Sequence, residues 1–446
     1  MSDPLVERLR RALLLEGPTS AAVLMSSLAV SQPTVSRLLA RLGDDVLVVG
    51  RGRSTRYALR RRILGVSWPI PVVAVNGDGV ARQVARLHPV EPRGFWCDSP
   101  QPAMGGFSDD LPWWLADLRP AGFLGRLLPR RHPELSLPTD VRQWSSDDVL
   151  RYATRHGHDT IGNLIVGDDA FTAMQATVQA TTPTMLCPAD FPARAMAVLE
   201  GGQPGSSAGG EQPKFTGWTT RSDGAPVAVL VKWSPPLSST VGRRVADLLR
   251  CEHHALAALR AIGLPAAHSA VHVVDDRAFL VVERFDRLGT RGRQGVVSLA
   301  ALDDGTIGAS DARWPTITEA LWRHKRLSAA DHRRTRVAWA FGRRIGNTDM
   351  HRHNLSVMVD GDFRLSLAPI YDMLPMCLAP MAGEVRPAVL TSLPLVPGDD
   401  DIAADVEAAV GHWLASVAVD DAISDDVREA VAVGVVDGAA RDRSSK

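Results

Sequence analysis

Gly346-Asn347-Thr348-Asp349-Met350-His351-Arg352-His353-Asn354-Leu355-Ser356-Val357 is the stretch of this 446-residue chain whose reading decides its fold. Asp349 stands five residues before Asn354. Residues 355–359 then read as a strand, Asp360-Gly361-Asp362 as a turn and residues 363–368 as a second strand, so Ile370-Tyr371-Asp372 follows a β-hairpin. An Asp and an Asn at this separation can divide two tasks. The carboxylate faces an incoming hydroxyl, while the amide oxygen turns back toward a cation that Asp372 could share. Taken alone, one such pair also reads as a turn that ends a helix.

The segments upstream supply the context. Gly201-Gly202-Gln203-Pro204-Gly205-Ser206-Ser207-Ala208-Gly209-Gly210 can bring many backbone N–H groups to an anion, although linkers share this composition. No Gly-Lys-Ser/Thr closes it, which disfavours a P-loop NTPase. Residues 225–231 form an apolar, β-branched strand ending at Lys232, and Glu252 lies 20 residues on, at the start of a helix expected over 251–262. A buried strand at 278–283 runs into Arg284-Phe285-Asp286-Arg287, a candidate hinge. A strand lysine paired with a helix carboxylate is how protein kinases hold the ATP phosphates, and a structural ion pair would read the same way. The ordered series of loop, Lys, Glu, hinge, Asp, Asn and Asp favours the kinase arrangement.

With these residues in view, the sequence resembles the HipA-like serine/threonine kinases of bacterial toxin–antitoxin systems, in the YjjJ-type branch with its own N-terminal DNA-binding domain. The resemblance covers roughly residues 64–440 and rests on Ser206 to Gly210, on Val282-Glu283-Arg284-Phe285-Asp286-Arg287, on residues 347–357 and on Pro369-Ile370-Tyr371-Asp372. It implies Asp349 as catalytic base, Asn354 and Asp372 as Mg²⁺ ligands, and Lys232 with Glu252 on the ATP phosphates. Ser206, Ser207, Ala208, Gly209 and Gly210 would form the nucleotide loop. Glu283 and Phe285 would offer backbone groups to adenine, with Asp286 near the ribose, and His351 would shape the loop. The family's self-phosphorylated serine falls on Ser206, beside Ser207. Ala208-Gly209-Gly210-Glu211-Gln212-Pro213-Lys214 departs from the family's Ala-Gly-x-Gln-Glu-Lys by one residue and a proline, so no role is carried over to Lys214.

The front of the chain carries a second kind of chemistry. Residues 1–63 hold 11 arginines against five acids, a net +6 hidden within a chain whose 50 basic and 50 acidic residues cancel. Leu5, Leu9, Leu13 and Leu14 have helical spacing, Gly17-Pro18 breaks that helix, and Ser20 can cap a second over Ala21–Leu28. Ser31 can cap a third with Pro33 in its first turn, leaving Ser31, Gln32, Thr34 and Arg37 outside. Val46–Val49 and residues 57–59 flank a turn with arginines at its tip. Three helices and a basic hairpin read as a winged helix-turn-helix: the third helix enters the major groove of duplex DNA, while Arg51, Arg53 and Arg56 meet phosphate or the minor groove. A small packing module with a solvated basic face is the plainer alternative.

The fold class expected is therefore α+β, a bilobed protein-kinase-like (HipA-like) body preceded by a winged helix-turn-helix. The divisions expected are residues 1–63 for the DNA-binding domain, 64–284 for an N-terminal subdomain and kinase N-lobe, and 285–446 for a mostly helical C-lobe. A hydrophobic share of 45% with 22% charged residues is ordinary globular composition and argues against disorder. Cys97, Cys187, Cys251 and Cys377 form no C-x-x-C pair, which removes a zinc knuckle, and no apolar run spans a membrane; a cytoplasmic protein is expected. The expected activity is transfer of the ATP γ-phosphate to Ser or Thr of a protein substrate, with Mg²⁺, autoregulation through DNA and an antitoxin partner. Two readings compete: a DNA-binding regulator whose kinase-like body senses nucleotide, and a metal-dependent nuclease using Asp349, His351, His353 and Asn354.

Overall fold

The computed structural model describes residues 3–50, 52–179, 183–200 and 212–444. At the front, helices Pro4–Glu16, Ala21–Leu28 and Gln32–Leu42 precede an antiparallel pair, Val46–Val49 with Arg56–Leu59. Leu9, Leu13, Leu24, Leu28, Val35 and Leu38 close one core with Val46 and Leu59. Ser20 caps the second helix by accepting from the Val23 N–H at 3.3 Å. Ser31 occupies the cap position of the third helix, but its hydroxyl bonds the Thr34 hydroxyl at 3.1 Å, so the expected side-chain cap is not made.

A five-stranded antiparallel sheet follows, in the order Gly106–Ser108, Phe95–Asp98, Ala81–Pro89, Ile70–Val75, Leu164–Val166. Helix Ser146–His156, opened by a capping box on Ser145 and Asp148, packs its buried Val149, Leu150 and Ala153 against it.

The next sheet has the order Ser269–Val274, Arg277–Glu283, Pro226–Trp233, Lys214–Thr220. Alternation along the strand Pro226–Trp233 sends Val227, Val229, Val231 and Trp233 to one face, against Phe123, Phe191, Phe215 and Phe279. Lys232 is thereby turned to the other face, where helix Thr240–Ala261 lies. That helix begins eleven residues before the expected start, capped by Ser239, which accepts from the Gly242 N–H at 3.0 Å. Its first half reads as polar because Arg244 and Asp247 are buried yet find partners from the far end of the chain. Arg244 donates to Asp426 at 2.7 Å, and Asp247 accepts from Ser424 at 2.8 Å. Glu252 consequently sits in mid-helix, and Lys232 inside its strand rather than at its end.

Residues 295–435 wrap the same helix with a helical body. Gly295–Ser298, Ser356–Val359 and Leu365–Leu367 form a three-stranded antiparallel sheet beside helices Trp314–Arg323, Ala329–Arg344 and Ala403–Ala418. The decisive stretch leaves helix Ala329–Arg344 through Gly346, whose φ of +73° lies in the left-handed region, and a Cβ there would stand 2.6 Å from the Cys377 Sγ. Gly346→Ala is expected to cost about 1–3 kcal/mol through a non-glycine residue in that conformation. Urea unfolding of the full chain measures it, and an unchanged midpoint would show that the turn can relax.

Candidate active site

Three side chains meet at the junction of the four-stranded sheet and the helical body. Lys232 is 4% exposed and Glu252 1%, and the Lys232 Nζ donates to both Glu252 carboxylate oxygens at 2.7 and 2.8 Å. The same ammonium donates to Asp372, which arrives from 140 residues further along. Burial would raise the Asp372 carboxyl, but the Lys232 and Lys214 charges overcome it and hold the group down at about 2. Glu252, more deeply enclosed, is pushed up by burial. The carboxylates raise the Lys232 ammonium above its ordinary value against the effect of burial.

Lys214 belongs here although no role was carried over to it by spacing. It pairs directly with Lys232 across the sheet, so both side chains leave the same face. Its field accordingly reaches Asp372. The missed signal was positional, since the proline and extra residue before Lys214 break the family's spacing.

The second cluster is the loop after Gly346. Asp349 is exposed, and the Asn354 side-chain NH₂ donates to the Asp349 carbonyl at 2.8 Å. That engages the nitrogen end of the amide and leaves the oxygen as the atom a cation could take. Asn347, 5% exposed, ties the two clusters together. Its side-chain oxygen accepts from the Asp349 N–H at 3.0 Å, and its NH₂ donates to the Asp372 carbonyl at 3.3 Å. Met350 and Met373 also converge on Gly342, where a Cβ would lie 2.3 and 3.0 Å from their sulfurs, so helix and loop segments approach as only glycine permits. His351 lends its carbonyl to the Trp314 Nε1–H at 3.0 Å, which helps hold the loop's shape. Asp349, His351 and His353 do not converge as the nuclease alternative would need: they form no cluster of three metal-ligating atoms within 4.8 Å.

At the candidate hinge, the sequence did not anticipate how Asp286 is engaged by protein. Asp286 is 4% exposed and its carboxylate is committed to protein: it accepts from Arg284 at 3.0 Å, from Arg287 at 2.7 Å and from the Gly162 N–H at 3.0 Å. Burial would raise this carboxyl, yet the two guanidinium groups hold it below the ordinary range. The Glu283 carboxylate turns to Arg221 at 2.6 and 3.1 Å, and the Phe285 ring centroid lies 5.9 Å from that of Tyr371. Ser206, Ser207, Ala208, Gly209 and Gly210 lie outside the described residues, as does Arg51. Ser31, Gln32, Arg37 and Arg53 are exposed in the front module, with Thr34 and Arg56 half-buried, remote in sequence from the ion triad.

Residues 206–433 match the HipA-like C-terminal domain, and residues 66–175 match the middle domain of YjjJ-like toxins. Toxin YjjJ of Escherichia coli (strain K12) is 38% identical over 413 residues, covering 91% of this chain and 89% of that protein. The chain is a YjjJ-type member of the HipA-like family. A solved structure from a Shewanella oneidensis MR-1 complex of HipA, HipB and operator DNA covers 84% of this chain and 97% of its own, with 14% identity and a TM-score of 0.52, and shares the fold. The Helicobacter pylori proinflammatory kinase CtkA covers 51% of this chain and 88% of its own at 12% identity and a TM-score of 0.36. No helix among the described residues is long and apolar enough to cross a membrane.

In this family member the ion triad gives a pH signature. Because the folded Asp372 carboxyl lies below its ordinary 3.8, its stabilisation is present above about pH 4 and is lost as pH falls toward 2. Lys232→Met leaves two carboxylates facing each other without the cation and is expected to cost about 3–5 kcal/mol at pH 7. The orphaned carboxyls then titrate upward, so the penalty should shrink between pH 7 and pH 4. Denaturant unfolding across that range is the measurement, and a penalty independent of pH would contradict the assignment.

Proposed function

We propose that the chain is an ATP- and Mg²⁺-dependent protein serine/threonine kinase of toxin type, joined to a winged helix-turn-helix that binds duplex DNA for autoregulation. The observation that carries the kinase reading is the Lys232–Glu252–Asp372 triad, linked through Asn347 to the exposed Asp349. The donor set fits the implied group: Asp372 is kept ionised, the Asn354 amide has its oxygen end left over, and two lysines share the face beside them. When bound, Mg²⁺–ATP supplies an electrophilic γ-phosphoryl group with its charge neutralised by the metal.

The chain's own residues have separable tasks in this reading. Lys232, oriented by Glu252, holds phosphate oxygens, and Asp372 with the Asn354 oxygen holds the metal. Asp349, free of any ion pair closer than His351 at 3.9 Å, orients a substrate hydroxyl and accepts its proton. The backbone of Glu283 and Phe285 is the candidate adenine contact, and Ser206 the candidate self-phosphorylation site. The divisions fall after residues 63 and 284, with a protein substrate and an antitoxin as partners.

Asp349→Asn should lower γ-phosphate transfer by roughly 10²–10⁴-fold while leaving stability within about 0.5 kcal/mol, because the residue is exposed. The measurement is transfer from labelled ATP into proteins of a bacterial lysate, with thermal unfolding as the control. Full transfer by the variant would overturn the kinase reading, and ATP binding without turnover by the wild type would favour a nucleotide-sensing regulator.

For the front module the support is the exposure of Gln32 and Arg37 at the start of the third helix, and of Arg53 in the hairpin's turn. Arg53→Ala in the full chain should weaken binding to all duplexes about equally and reduce the salt slope by about one. Gln32→Ala should change sequence preference instead. Electrophoretic titrations at several salt concentrations distinguish the two, and no binding at low salt would leave the module as a protein-docking domain.

A further inference from the structure

Away from the ion triad, three side chains of the middle domain bring their metal-binding atoms within 4.8 Å of one another, with the His132 and His156 rings stacked 3.9 Å apart. His132 follows helix Gly122–Arg131, Glu134 lies in the turn Pro133–Leu135, and His156 ends helix Ser146–His156. The His132 Nδ1 is 3.3 Å and the His156 Nε2 3.1 Å from the same Glu134 Oε1, and all three atoms lie within 4.8 Å of one another. Among the described residues this is the one such group of three.

We propose that His132, Glu134 and His156 bind a divalent transition-metal ion of the Zn²⁺ class, with water in the remaining position. Ligand atoms held by bonds of 2.0–2.1 Å at tetrahedral angles stand roughly 3.3 Å apart, which is the spacing seen along both edges to Glu134. Two imidazoles and one carboxylate suit zinc better than the oxygen-seeking Mg²⁺ of the proposed kinase site. Both histidines stand at helix C-termini, where the unpaired carbonyl ends favour a cation. The side chains are 24%, 52% and 30% exposed, so an ion can enter from solvent. Ligation needs the in-plane lone pairs on His132 Nδ1 and His156 Nε2, so the two rings, stacked at 27° to one another, turn apart to take the ion and carry their protons on the opposite nitrogens.

The location gives the site a consequence. His156 directly precedes the turn Gly157–Asp159, and Asp159 receives Arg284 at 3.2 Å and Arg287 at 2.7 Å from the hinge. An ion joining the ends of the two helices fixes the start of the loop that carries Asp159, Thr160 and Gly162 to those arginines.

The test uses the full chain freed of metal by chelator and titrated calorimetrically with Zn²⁺. Wild type should bind one ion that Glu134→Gln and His156→Ala each weaken at least tenfold, and only the wild type should gain thermal stability at the corresponding Zn²⁺ concentration. Glu134→Gln keeps a side-chain oxygen that can still accept from both histidines, so a mere hydrogen-bonded cluster predicts no change in Zn²⁺ affinity for that variant. Equal affinity in Glu134→Gln and wild type, or no binding by the wild type at micromolar Zn²⁺, overturns the proposal. If His156→Ala fails to fold, the Glu134→Gln comparison still decides it.

Discussion

A buried ammonium shared by two carboxylates constrains everything around it. Lys232 can be ionised under the sheet only if Glu252 and Asp372 reach it, because an unpaired charge in that position costs several kcal/mol. Three requirements follow. The strand must alternate so that Lys232 leaves the face opposite Trp233, the helix must start early enough to place Glu252 in its middle, and the chain must return 140 residues later with Asp372. The triad sets two carboxyl groups against one ammonium, with Lys214 adding a second positive field from the neighbouring strand. Of the two carboxyl groups, Asp372 is the more accessible to solvent, 29% exposed against 1% for Glu252.

A second electrostatic unit joins the middle domain to the hinge. Arg284 and Arg287 are each shared between Asp286 of their own segment and Asp159 of the middle domain, while the Gly162 N–H caps Asp286. Arg287 also donates to the carbonyls of Thr160 and Gly162 at 2.8 and 3.1 Å, and Arg293 donates to that of His158 at 2.5 Å. Burial together with the Arg287 charge draws the Arg293 guanidinium down to about 10, a sign of how closely these cations are crowded. The contacts to Asp286 are desolvated, and that from Arg284 is bidentate, so they hold position better than the pairs to the half-exposed Asp159. The hinge is thus braced from outside the sheet, and the Asp286 carboxylate is consumed in that bracing.

Local pattern made much of this visible in the sequence, and long-range pairing made the rest invisible. The front helices showed through Leu9, Leu13, Val35 and Leu38, with breaks at Gly17 and a cap at Ser20, because those signals lie within one or two turns. The Asp349–Asn354 spacing and the hairpin before Asp372 were likewise local. The early start of helix Thr240–Ala261 was hidden because Arg244 and Asp247 look like solvent residues until Asp426 and Ser424 arrive from the other end of the chain. The bracing around Asp286 was hidden for the same reason: Gly162, whose N–H it accepts, and Asp159, which shares its two arginines, are more than 120 residues away. Asn347 stood inside the quoted motif, yet only the closeness of two loops shows that its amide joins them.

The charge of the chain is distributed in a way that bears on how the proposed activities share one molecule. With +6 in residues 1–63 and a net charge of zero overall, the remaining residues carry −6. Exposed charges interact over about 8 Å at physiological ionic strength, so the body's acidity does not cancel the field at the outer face of the third helix and hairpin. It does disfavour laying the body along a phosphate backbone. Duplex DNA would therefore be engaged by the front module, with the body held off by like charge. On this reading, occupancy of DNA need not cover the exposed Asp349 loop, and regulation of transfer by DNA would have to act through the contact between module and middle domain, where Arg61 donates to the Val90 and Gly94 carbonyls at 3.1 Å and pairs with Asp147.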